Sequence, residues 1–106
     1  MIWVLFDIRM KTGFFETKTY ELLVGKDRLV LSSKESKDDN ITIPDKNIIS
    51  ITLKNEKAPE IEIQTWEKIY LGSLLKRDDF EKLVELLKEN LNAKIICEYE
   101  GGKDHA

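Results

Sequence analysis

The sequence of 106 residues contains one cysteine, one histidine and two prolines, and each scarcity removes a class of function. Cys97 has no second thiol with which to form an intramolecular disulfide or a thiolate zinc site, and a reducing cytoplasm is its natural compartment. His105 stands near the end of the sequence, where no rigid scaffold holds an imidazole for acid–base work or beside a serine or cysteine nucleophile. The expectation is a protein that is not an enzyme and needs no cofactor. No apolar run approaches the roughly 18 residues that a transmembrane helix requires. The apolar opening, Met1 to Phe6, is interrupted by Asp7 and Arg9, with no basic segment before it and no small-residue cleavage site after it, so a signal peptide is not expected. Charge is abundant but mixed: 20 acids against 17 bases leave −3, without a basic stripe, so nucleic acid is not an expected partner.

What remains is alternation. Ile2, Val4, Phe6, Ile8 and Met10 occupy every second position, the period of a half-buried strand. Lys11-Thr12-Gly13 reads as a turn and Phe14 to Val24 as an aromatic-rich strand with Tyr20, Leu22 and Val24 on one face. Gly25-Lys26-Asp27 follows as a hairpin loop before a strand from Arg28 to Ser33. Ser32 to Asn40 is polar throughout and reads as an exposed, mobile loop. Ile41 to Ile43 stops at Pro44, which cannot serve a ladder, and Pro44 to Asn47 is a turn. Ile48 to Lys54 presents Ile49, Ile51 and Leu53 on one face. Glu60 to Thr65 has the cleanest alternation, with one wet face, and Ile69, Leu71 and Ser73 suggest a further strand through Trp66-Glu67-Lys68.

The period then changes. Phe80, Leu83, Val84, Leu87 and Leu91 form one stripe of an α-helix from Asp78 to Asn92, with Asp78 as N-cap and Glu81 completing a capping box. The stripe needs an apolar surface to cover, and the sheet is the one available. Lys94 to Tyr99 is suited to a last short strand. The expected architecture is α+β: about seven mostly antiparallel strands in a bent sheet closed by one C-terminal amphipathic helix, as a single domain over residues 1–100 with a disordered tail over 101–106.

From Tyr20 to Leu91 this pattern resembles the pleckstrin-homology-like superfold in its bacterial and GRAM-like forms. The resemblance is carried by Glu21 to Leu31, by Ile41-Thr42-Ile43-Pro44 leading into Ile48 to Ile51, and by the closing helix. It implies a strongly bent barrel plugged at one end by the helix, in which Ile2 to Met10 is either an N-terminal extension or the first strand. It also implies two functions: an interaction scaffold that binds a protein partner or copies of itself, and peripheral recognition of an anionic lipid headgroup by clustered bases.

The bases available for the second are Arg9, Lys11, Lys18, Lys26 and Arg28, interrupted by acids such as Asp27, which is thin for a phosphate cage. Membrane contact is therefore expected to be peripheral at most. Asp38, Asp39 and Asp45 match no metal-loop spacing, and Glu60 and Glu62 read as solubilising residues, so no metal site is expected. Trp3, Leu5 and Trp66 fall on the outward phase of their strands and are the candidate interface anchors. If the first strand is a sheet edge, Trp3 and Leu5 invite a homo-oligomer through it, or Lys94 to Tyr99 pairs beside it and covers the tryptophan.

Overall fold

The computed structural model describes residues 4–35, 38–99 and 102–103. Seven strands precede the helix: β1 (Leu5–Lys11), β2 (Thr17–Gly25), β3 (Arg28–Ser33), β4 (Asn40–Pro44), β5 (Ile48–Asn55), β6 (Glu60–Thr65) and β7 (Ile69–Leu74). The helix α1 (Phe80–Asn90) follows, then β8 (Lys94–Tyr99) and the two-residue β9 (Gly102–Lys103). The strand count thus exceeds seven because the chain returns to the sheet after the helix. Gly102 and Lys103, expected in a disordered tail, pair with β8.

Among the described residues the nine strands join one open sheet in the order β4-β3-β2-β1-β7-β6-β5-β8-β9. Every pairing is antiparallel except β5 with β8, whose parallel register runs from Ser50↔Lys94 to Asn55↔Tyr99. The barrel is not closed, because β4 and β5 are joined by a 3-10 turn at Asp45–Asn47 without pairing, and β8 takes the free side of β5. β1 is an interior strand, with β2 on one side and β7 on the other. This corrects the view of it as a sheet edge, and β8 is placed beside β5 rather than beside β1. Trp3 and His105 lie outside the described residues.

Alternation decides the core. Phe6, Ile8 and Met10 of β1, Tyr20 and Leu22 of β2, Leu29 and Leu31 of β3, and Ile61 and Ile63 of β6 are buried on one face of the bent sheet. Phe80, Leu83 and Leu87 of α1 and Leu91 after it cover that face, with Val84 half-buried beside them. The helix is shorter than Asp78 to Asn92 because Arg77–Asp79 forms a 3-10 turn. Its N-cap position falls on Asp79, and no side-chain capping bond forms there. On β5 the register shifts by one residue between Ile48↔Thr65 and Ser50↔Gln64. This bulge buries Ile48 and turns Ile49 outward, so Ile49 does not share the face of Ile51 and Leu53.

Two local arrangements stand out in the backbone. At the β1–β7 crossing, Gly72 faces the core, where a Cβ would stand 2.5 Å from the Met10 sulfur and 2.8 Å from Ile8 Cγ2. At the opposite end of β2, the hairpin turn places Asp27 at φ 62°, in the left-handed region that aspartate tolerates better than most residues. Its N–H donates to the Asn90 carbonyl at the helix end, and its carbonyl accepts from Asp45 N–H.

Candidate interaction surface

The surface begins with two turns that differ in how the chain closes them. Lys11↔Thr17 is the last pair of the β1–β2 ladder, and Thr12 N–H still donates to the Glu16 carbonyl. Phe14 and Phe15 therefore stand at the apex of the hairpin. They are 92% and 97% exposed, and their rings touch at a centroid distance of 6.0 Å. Their aromatic character suggested a strand, but the ladder ends before reaching them.

The β6–β7 turn has neither glycine nor asparagine, and Thr65 supplies the closure instead. Its hydroxyl donates to the Lys68 carbonyl at 2.7 Å and accepts from the N–H groups of Lys68 and Glu67. Trp66 N–H donates to the Asn47 carbonyl, while the indole side chain points away and is 74% exposed. Ile69 and Leu71, on the outward phase of β7, are exposed beside it, and bulged Ile49 is exposed on β5. The outward phase read for Trp66 thus holds.

These two turns leave the sheet at the same end. Met10 pairs with Gly72 in an antiparallel ladder, so the end of β1 and the start of β7 run side by side. A shallow cleft of about 290 Å³ runs along this ladder, lined by Arg9, Lys11 and Thr17 on one side and by Glu60, Leu71, Gly72 and Ser73 on the other. Soluble proteins scatter single apolar side chains over their surface, whereas aromatic residues are enriched at the hot spots of contact sites.

The bases named from the sequence do not gather in this way. Arg9 and Lys11 lie on the outer face of β1, whereas Lys18 shares the inner phase of Met10 and reaches Asp39 at 3.6 Å. Lys26 and Arg28 sit at the far end of β2, roughly 23 Å away at the usual rise of a strand. There they border a cleft of about 530 Å³, open to solvent, whose walls include Val4, Leu23, Val24, Val30 and Leu86. Leu5 is half exposed and continues the row Leu5–Leu23–Val30 across the outer face.

The acids are engaged structurally. Asp39 accepts a hydrogen bond from the Tyr20 hydroxyl at 2.9 Å, and Asp7 holds Lys34 at 2.7 Å and Lys76 at 3.9 Å. Burial, then the hydrogen bond to Asp39 and the charges of Asp39 and Glu35, raise the Tyr20 phenol above its ordinary value. The segment from Ser32 to Asn40, expected to be free of the body, is thereby tied to β1 and β2 at both described ends. Asp45 accepts the N–H groups of Asn92 and Ala93. Among the described residues no group of three or more histidine, cysteine, aspartate or glutamate side chains is arranged to hold a metal ion, and no helix is long and apolar enough to cross a membrane.

No protein-family model matches the chain, and no curated protein does. A solved structure does: a chain of the Spt16D–Pob3N heterodimer superposes with a TM-score of 0.63 at 14% identity, over 100% of the present chain. The fold is pleckstrin-homology-like. The chain spans 61% of the length of that solved chain, and at this identity the likeness concerns the fold alone. On the pleckstrin-homology-like frame, β8 and β9 follow the closing helix and extend the sheet beyond β5.

Proposed function

We propose that this chain is a non-catalytic interaction domain that docks a protein partner through the shared end of its β1–β2 and β6–β7 hairpins. The observation that carries the reading is the near-complete exposure of Phe14 and Phe15, with Trp66 largely exposed, on turns closed by backbone hydrogen bonds. Aromatic side chains offer large contact area for little rotamer entropy, and in water they are unsatisfied until covered. A solved chain with a similar fold is one member of a protein heterodimer, which is compatible with the same kind of role here. A cytoplasmic location suits the single cysteine.

The experiment is capture by the immobilised chain, compared with a Phe14→Ser/Phe15→Ser/Trp66→Ser variant of unchanged melting temperature. A partner held by the wild type and lost by the variant, then rebound as a purified protein, supports the reading. A partner held equally by both places the contact elsewhere and overturns it.

A further inference from the structure

We propose that the cleft at the β2–β3 hairpin is the seat of the chain's own Ile2 and Trp3, which continue β1 along β2 and close it. The cleft lies at the opposite end of β2 from Phe14 and Phe15, so its occupant is independent of the docking surface.

The cleft exists because two neighbouring strands stop at different places. The β1–β2 ladder begins at Leu5↔Leu23, whereas β2 runs on through Val24 to Gly25, still paired with β3 on its other side. Among the described residues nothing pairs with Val24 or Gly25 from the β1 side. Side chains of both phases therefore line the gap: Leu23 and Val30 from the outer face, and Val24 from the inner face together with Leu86 of α1. A groove walled by both faces of a strand is the space left along that strand's flank. Val4 is part of the wall, so the chain reaches the cleft from within. Tethered there by one peptide bond, Trp3 has a local concentration that a free segment of another molecule does not match.

The register decides what these residues meet. Each step back along β1 is a step forward along β2, so the continued ladder sets Val4 opposite Val24, Trp3 opposite Gly25 and Ile2 opposite Lys26. Alternation then turns Trp3 to the outer face, towards Leu23 and Val30, and Ile2 to the inner face, towards Val24 and Leu86. Each apolar wall receives one apolar side chain.

Gly25 carries the same message. It is a strand residue whose φ lies outside the left-handed region, and a Cβ on it would meet Arg28 no closer than 3.6 Å, an ordinary contact. Neither its backbone nor its described neighbours require glycine. A glycine inside a strand forgoes packing, and an aromatic side chain lying across it restores the loss. Arg28 pairs with Gly25 in the β2–β3 ladder and keeps its side chain against that spot, where a guanidinium can stack on an indole. Arg28 thereby borders a ring rather than an open anion site.

The test is tryptophan fluorescence of the full chain carrying Trp66→Phe, in which Trp3 is the single indole. At low micromolar concentration its emission should lie at shorter wavelength in the folded protein than in denaturant, with acrylamide quenching several-fold slower. Gly25→Val puts a branched side chain where the indole rests, and Val30→Lys puts a charge on the outer wall. Either one, added to Trp66→Phe with unchanged far-ultraviolet dichroism, should move the emission to longer wavelength and restore quenching, so each serves if the other does not fold. Three results overturn the proposal. Emission and quenching equal to those of the denatured chain leave the cleft open. Shielding that grows with protein concentration assigns Trp3 to a contact between copies. Shielding untouched by the substitutions places the indole elsewhere in the fold.

Discussion

The Asp45 carboxylate accepts the backbone N–H of Ala93 at 3.0 Å, joining the turn that enters β5 to the residue just before β8. Its other oxygen takes the N–H of Asn92 at 2.9 Å. One aspartate thereby fixes where the chain leaves α1 and enters β8.

Asp45→Ala should cost about 1–3 kcal/mol, because two backbone donors lose a charged acceptor and only the exposed Asn92 recovers water readily. Denaturant midpoints report the loss. Hydrogen exchange should accelerate in β8 before it does in β2, and uniform acceleration would show that the bond does not act locally.

Gly72→Ala is expected to destabilise by about 1–3 kcal/mol through overpacking, since the new methyl group meets the Met10 sulfur and Ile8 at distances that real side chains do not adopt. Met10→Ala should cost less in the Gly72→Ala background than in the wild type, because it also relieves the overpacking. Additive costs in the double mutant would rule out this contact as the cause.

Leu83→Ala and Leu87→Ala each remove a fully buried side chain from the helix–sheet contact and should cost about 2–5 kcal/mol. Glu85→Ala on the exposed face of α1 should change thermal stability little. Equal effects at all three positions would contradict a one-sided helix.

Stability should fall at alkaline pH. The Tyr20 phenol is raised by burial and then by Asp39, so the folded state holds its proton where the unfolded chain has released it. The contribution is complete below the unfolded value of about 10 and is lost as pH rises through the higher folded value. Lys34, raised first by its hydrogen bond to Asp7, loses its contribution in the same direction. Unfolding midpoints measured across this range should decline less steeply for Tyr20→Phe, and less steeply again when Asp7→Asn is added. Parallel profiles for wild type and Tyr20→Phe would remove Tyr20 from the account.

Strand and helix periods were legible where side chains alternate against one core, as in Glu60 to Thr65 and Phe80 to Leu91. Ile49 was misplaced because a bulge inserts one residue, which local alternation does not encode. Phe14 and Phe15 were misread for a different reason: aromatic residues favour strands, but their adjacency breaks the alternate phase that Tyr20, Leu22 and Val24 keep. That break was the available signal for a hairpin apex. Trp66 was placed outward by its phase with Glu62 and Gln64, while the turn under it depends on the Thr65 hydroxyl and so lacks the glycine usually sought. The parallel pairing of Lys94 to Tyr99 with β5 is settled by the path of α1, a property of the folded chain rather than of those six residues.

That pairing also sets an order of events during synthesis. β5 leaves the ribosome well before its parallel neighbour, since β6, β7 and α1 must all emerge first. Until β8 arrives, the nascent sheet carries a bare flank rich in isoleucine and leucine, of the kind that recruits other chains. The segment after the helix is thus the clasp of the fold, since it covers the side of β5 that β6 leaves open.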